Sequence, residues 1–143
     1  KIIAEKYIED SNGELNDFKF FCFGGTVYYC WLDIKNESYH YRNIYDVDWN
    51  LQTWRYNKFD NTPYDVAKPK YFQKMVEVAK KLSQGFPHVR VDLYNVDGKL
   101  YFGEMTFTSS GGYSLIYPEE FNYYLGSLWD INAEEITAPL ESE

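Results

Sequence analysis

A chain of 143 residues with 45% hydrophobic content is long enough to bury one core and too apolar to remain disordered. Its net charge of −8 offers no basic cluster for nucleic-acid phosphates or an anionic bilayer, and no apolar run approaches the roughly 18 residues of a membrane span. Aromatic residues make up 20% of the chain, which suits pleated, half-buried sheet surfaces; a sugar-binding aromatic platform is the sharper alternative.

In chain order, Lys1–Ile8 reads as a strand entered at once, without Met and without the loose lead of a natural start, so a fragment of a longer protein is expected. Nothing there resembles a signal peptide. Asp10-Ser11-Asn12-Gly13 has turn composition. Asn16–Phe23 and Thr26–Ile34 form a hairpin joined at Gly24-Gly25. That register sets Cys22 opposite Val27 and Cys30 opposite Lys19, so the cysteines do not bridge. With His40 and His88 they are too few and too scattered for zinc, and buried free thiols fit a reducing cytosol. Asp17 and Lys19 share a strand face, which spacing alone reads as a charge pair on a solvated surface.

Tyr39–Ile44 alternates as a strand. Tyr45-Asp46-Val47-Asp48-Trp49 places acids at i and i+2 but lacks the remaining positions of a calcium loop. It reads as a loop near the substrate, with Arg42 its anion contact. Asn57–Lys68 is a polar connector. Pro69–Gln84 is a helix: proline suits its first turn, Phe72, Met75, Val76, Ala79 and Leu82 recur at helical spacing, and Gly85 ends it. Lys74, Lys80 and Lys81 form its solvated side. A second helix spans Pro118–Trp129, and 131–143 is an acidic tail without an assigned role.

The organising stretch is PHVRVDLYNVDGKLYFGEMTFTS, Pro87 to Ser109. Both arms alternate as a β-hairpin. A two-residue Asp97-Gly98 turn would set Val96 opposite Lys99 and bury Glu104 beside Val91 and Leu93, at a cost of several kcal/mol. A type I turn, Asn95-Val96-Asp97-Gly98, with a bulge at its glycine avoids this. That register puts Arg90, Asp92, Glu104 and Thr106 on one surface and Val91, Leu93, Tyr101 and Met105 on the other. Asp92 and Glu104 are then diagonal neighbours, roughly 7–8 Å apart at Cβ, with Arg90 directly opposite Glu104. Carboxylates so placed can share a hard cation such as Mg²⁺, and Arg90 can orient Glu104 or reach a phosphate bidentately. A solvated sheet face carrying a surface ion pair is the alternative.

Arg90-x-Asp92, a short turn, then Glu104-x-Thr106 and a small-residue loop resemble the C-terminal hairpin of ATP-grasp enzymes. With AEKYIED, DFKFFCF and YDVDWN upstream, the chain resembles the TupA-like branch associated with cell-surface polysaccharide and teichuronopeptide synthesis. The resemblance implies that Asp92 and Glu104 bind the Mg²⁺ of ATP, with Arg90 clamping the phosphate oxygens as the catalytic cation. Thr106 stands where the family commonly has Asn and is carried over as a ligand on its hydroxyl. Glu5, Lys6, Tyr7 and Ile8 would be the hinge that meets the adenine, with Asp17 on a ribose hydroxyl and Lys19 on a phosphate or substrate anion.

The expected architecture is α+β: a mostly antiparallel sheet of five or six strands with two helices packed on one side. Residues 1–130 would be the C-terminal lobe of an ATP-grasp fold whose N-terminal lobe is missing, followed by the tail 131–143. The function implied is cytoplasmic ATP-dependent ligation of a carboxylate to an amine or similar nucleophile on a small-molecule or glycan-linked acceptor, without nucleic acid or membrane insertion. The fragment alone is expected to be inactive. A glycosyltransferase with an acidic metal site and a non-catalytic glycan-binding β domain are the two alternatives.

Overall fold

The structure, a computed structural model, describes residues 2, 4, 6–9, 11, 15–35 and 38–132. In chain order its elements are β1 (Asp17–Phe23), β2 (Thr26–Lys35), β3 (His40–Asp46), β4 (Arg55–Tyr56), α1 (Phe72–Leu82), β5 (His88–Val96), β6 (Lys99–Thr106), β7 (Ile116–Tyr117) and α2 (Glu119–Ser127). Five strands form one antiparallel sheet ordered β3-β2-β1-β5-β6, and β4 pairs with β7 in a small second sheet. This is the α+β class the residue pattern implies.

The central strand explains the layering. β1 reads DFKFFCF, and its period of two sends Phe18, Phe20 and Cys22 to one side and Phe21 and Phe23 to the other. Both sides of the sheet are therefore apolar near β1, and both have to be covered. α1 covers the first with Phe72, Met75, Val76 and Ala79, which meet Val27, Cys30, Leu32, Val89, Val91 and Leu93. α2 covers part of the second, where Leu125 joins Trp31, Ile44, Trp54 and Tyr56. The helices thus lie on opposite faces, which corrects the expected one-sided packing; the two-sided alternation of β1 is the physical reason.

Local boundaries also differ. The described residues within 1–8 form no strand, and α1 begins at Phe72 because Tyr71 takes a left-handed conformation, φ 67°. The Tyr71 ring fills the space where a side chain at Gly98 would stand, 2.6 Å from a Cβ built there, and Gly98 itself has φ +87°. α1 stops at Ser83, whose N–H donates to the Ala79 carbonyl, with Gly85 at φ 81° just beyond. Glu119 and Glu120 occupy the first turn of α2, where negative charge suits the helix dipole.

Cys22 faces Val27 as its turn requires, but Cys30 pairs with Phe20 rather than Lys19. An irregularity between Phe21 and Cys22 leaves Tyr28 as an extra residue and shifts the ladder by one. Both thiols are buried and free. The small β4–β7 sheet had no legible signal, because two-residue strands show no periodicity.

Candidate functional site

Asp97 at φ 51° and Gly98 at φ 87° make a two-residue loop, and Val96 pairs with Lys99. This is the register set aside above, and the four-residue turn is corrected accordingly. Glu104 nevertheless escapes the core. Between Asp92/Glu104 and Leu93/Phe102 the ladder skips Gly103, a bulge that restores the sidedness from the middle of the arm. Glycine is needed there: a Cβ at 103 would stand 3.0 Å from the Asp92 carbonyl oxygen and 3.0 Å from the Tyr94 ring.

The consequence is that Asp92 stands directly opposite Glu104, not diagonal to it, and Arg90 opposite Thr106, not Glu104. Tyr101 pairs with Tyr94 and moves to the face of Asp92, contrary to its expected place beside Val91. Arg90, Asp92, Glu104 and Thr106 do share one face. β1 adds to it, because Lys19 pairs with Asp92 and Asp17 with Tyr94.

Hydrogen bonds join these side chains into one cluster. Arg90 donates through Nε and Nη2 to the two oxygens of Asp92 at 2.7 Å each, and Nη2 also donates to Glu104 Oε1 at 2.7 Å. Lys19 Nζ donates to Asp92 Oδ2 at 2.9 Å and to Asp17 Oδ2. Arg90 Nη1 donates to Ser109 Oγ at 2.9 Å, in the 3₁₀ turn Ser109–Gly112 that follows β6. The Trp31 ring lies beneath both Arg90 and Arg42, 5.2 and 4.7 Å from their guanidinium carbons.

Burial distinguishes this cluster from a surface ion pair. The Asp92 side chain is 1% exposed, Arg90 10% and Lys19 14%, whereas Glu104 remains 62% exposed. Burial outweighs Lys19 and raises the Asp17 carboxyl above its usual range, and Asp17 Oδ1 is buried without a hydrogen-bond partner. Burial pulls Lys19 and Arg90 down, but their carboxylate partners outweigh it and hold both above their usual values.

The donor atoms fit a hard cation in kind. Glu104 and Thr106 present oxygen at the open rim and the unpartnered Asp17 oxygen lies on the neighbouring strand, whereas both Asp92 oxygens already accept from Arg90 and Lys19. Among the described residues no three His, Cys, Asp or Glu side chains are arranged around a common metal position. The chain would therefore supply Glu104 directly and Asp92 in exchange for its cation contacts, with waters or phosphate oxygens completing the shell, as Mg²⁺ usually requires.

Other expected residues stand elsewhere. Glu5 lies outside the described residues; Lys6 and Tyr7 are exposed and Ile8 half-buried, all outside any strand. Arg42 is not an open anion contact: Nε and Nη2 donate to Asp33 at 2.6 and 2.9 Å, and the side chain is 10% exposed. Burial raises the Asp33 carboxyl, but Arg42 and His40 together outweigh it and hold the group below its usual value. Asp46 is likewise committed, accepting the N–H groups of Asp48 and Asn50 at 2.9 and 2.8 Å in a self-capped turn.

One residue was missed. His88 shares the face of Arg90 and Asp92 and lines a cavity of about 200 Å³ between β1, β5, the 3₁₀ turn and α2. Its parity with Arg90 was the available signal. No curated protein and no solved structure matches the chain. The model of the TupA-like ATP-grasp family matches residues 1–130, and the chain belongs to that family.

Proposed function

We propose that this chain carries the magnesium–nucleotide face of a ligase that activates a carboxylate with ATP and joins it to an amine or hydroxyl acceptor in cell-surface polysaccharide synthesis. The observation that carries this reading is the buried Arg90–Asp92–Lys19 core with exposed Glu104 at its rim. Buried, mutually paired groups hold their positions, and phosphoryl transfer needs positioning and charge stabilisation more than a protein nucleophile. Family membership supports the same chemistry at a coarser level. Mg²⁺, when bound by Glu104 with Thr106 adjacent and by Asp92 in exchange for its Arg90 and Lys19 contacts, would offset charge on the phosphates.

The chain's own groups then divide the work. Arg90 has a fixed fork, and its contact with Glu104 lies at the exposed rim, where phosphate oxygens could replace that carboxylate. Lys19 supplies a second cation within the same face, restrained by Asp17 and Asp92. Asp17 is the ribose contact and Lys6–Ile8, with Glu5, the adenine hinge by family analogy. No helix of the described residues is long and apolar enough to cross a membrane. Two free buried thiols and an ATP substrate support a cytoplasmic setting.

Calorimetric titration of the 143-residue chain with ATP, with and without MgCl₂, tests the reading. Binding should require Mg²⁺ and weaken at least about tenfold in Glu104→Gln. ATP binding indifferent to Mg²⁺, or binding of UDP-glucose in its place, would overturn it in favour of a glycosyltransferase or a domain without nucleotide.

A further inference from the structure

The cavity beside the charged cluster has a lining that the nucleotide reading does not use. Its walls are aromatic, including Phe23 and Trp129, and its polar groups, His88, Thr108, Ser109, Ser114 and Asn122, are all uncharged at neutral pH. The Ser114 hydroxyl is buried without a hydrogen-bond partner. No carboxylate, lysine or arginine lines the space.

His88 is held in one tautomer. Nδ1 lies 3.0 Å from the Cys22 carbonyl oxygen, which can only accept, so Nδ1 carries the proton and the neutral ring keeps its lone pair on Nε2. The ring packs against Phe23 at 4.5 Å and Trp129 at 4.7 Å between centroids. His88 lines the cavity, and among the described residues no hydrogen bond occupies its Nε2. The charged groups on the surrounding elements are Asp17 and Lys19 on β1, Arg90 and Asp92 on β5 and the exposed Glu119, Glu120 and Asp130 around α2, none of which lines the space. Burial lowers His88 below its ordinary range and keeps the ring neutral at pH 7.

We propose that this cavity seats the acceptor substrate as a single uncharged hydroxylated ring, with His88 Nε2 accepting the proton of its attacking hydroxyl. The volume, about 200 Å³, suits one substituted six-membered ring, since a cavity of roughly 150 Å³ holds benzene. Such a ring has C–H faces for the aromatic walls and hydroxyls for the uncharged polar rim, where a plain hydrocarbon would leave His88 and Asn122 unpaired. Same-face neighbours on a strand are roughly 7 Å apart, so a hydroxyl on Nε2 lies beside whatever Arg90 holds.

The proposal rests on the reading of Arg90 and Asp92 as the place where the carboxylate becomes an acyl phosphate. The acceptor oxygen then bonds to the acyl carbon, the bond from that carbon to the phosphate oxygen breaks with its electron pair on phosphate, and the hydroxyl proton passes to Nε2. The product is an ester, and the imidazolium returns its proton to solvent.

The test uses the 143-residue chain with ¹³C,¹⁵N-labelled histidine and methyl β-D-glucopyranoside as the probe. Saturation with the probe should shift the His88 resonances and lower the His88 pKa, because only neutral Nε2 accepts. Gly126 lines the cavity in helical α2 with open space where its Cβ would be, so Gly126→Leu should abolish the shifts without unfolding. His88→Gln should weaken the probe about tenfold. An unmoved His88 in the parent chain, or Gly126→Leu that binds as before, overturns the proposal. Mg-ATP titration of the same variants should match the parent. If the parent binds the probe but not Mg-ATP, the nucleotide reading fails and the cavity assignment as a ring site stands.

Discussion

Nη2 of Arg90 lies 2.7 Å from Asp92 Oδ2 and 2.7 Å from Glu104 Oε1, so one nitrogen bridges two carboxylates that face each other across β5 and β6. The two acids are nonetheless unequal, because one is sealed and the other open to water. That inequality separates folding from binding in the mutational behaviour of the hairpin.

Asp92→Asn should destabilise the chain by about 3 kcal/mol, since it leaves the Arg90 and Lys19 charges buried with half their compensation. Glu104→Gln should change stability by less than about 1 kcal/mol, because that pair is solvent-screened. Urea unfolding of both variants measures this. Equal losses would mean that the burial of Asp92 does not decide the matter. The hairpin pattern alone suggests nearly unchanged melting for both, and burial overturns that for Asp92.

Gly103→Ala should cost about 1–3 kcal/mol, because its methyl meets the backbone oxygen of Asp92, which cannot swing aside. Magnesium-dependent ATP binding should weaken with it, as the bulge sets the direction of Glu104. Thermal unfolding and calorimetry on one preparation measure both. A variant as stable as the parent would show that the ladder absorbs the methyl.

Arg42→Lys should lose about 2 kcal/mol while leaving the affinity for Mg-ATP within about twofold. The cost comes from the two-pronged contact with Asp33 and the packing over Trp31, neither of which an ammonium reproduces. A large loss of nucleotide affinity without loss of stability would return Arg42 to the role of anion contact.

Two groups bias opposite limbs of the stability profile. Burial raises Cys22 from 9.0 to about 11, so its contribution is complete below pH 9 and disappears as pH climbs through about 11. Burial lowers His88 from 6.5, so its contribution is complete above pH 6.5 and disappears as pH falls through the depressed value. Cys22→Ala should flatten the alkaline limb and His88→Gln the acid limb, measured as unfolding free energy against pH. Unchanged slopes in either variant would show that the group titrates as it does in the unfolded chain.

The residue pattern made the class, the two helices and the sharing of one face by Arg90, Asp92, Glu104 and Thr106 legible. Alternation and turn composition report such features directly. What escaped it depended on single extra residues. The bulges at Tyr28 and Gly103 reverse parity within a strand, and nothing in a period of two marks where the count breaks. The Lys19–Asp92 contact escaped for another reason: it joins strands 73 positions apart, and strand order is not written in either segment. His88 was read by element type, as one of too few zinc ligands, when its informative property was its parity with Arg90.

Because Phe20 and Phe21 feed separate hydrophobic compartments from adjacent positions, β1 is intolerant of length change. One residue inserted or deleted between Asp17 and Phe23 would trade the two compartments' contents and turn Asp17 and Lys19 towards α1. Homologous chains should therefore vary in length across the irregular stretch between β3 and α1 and keep this heptad free of gaps.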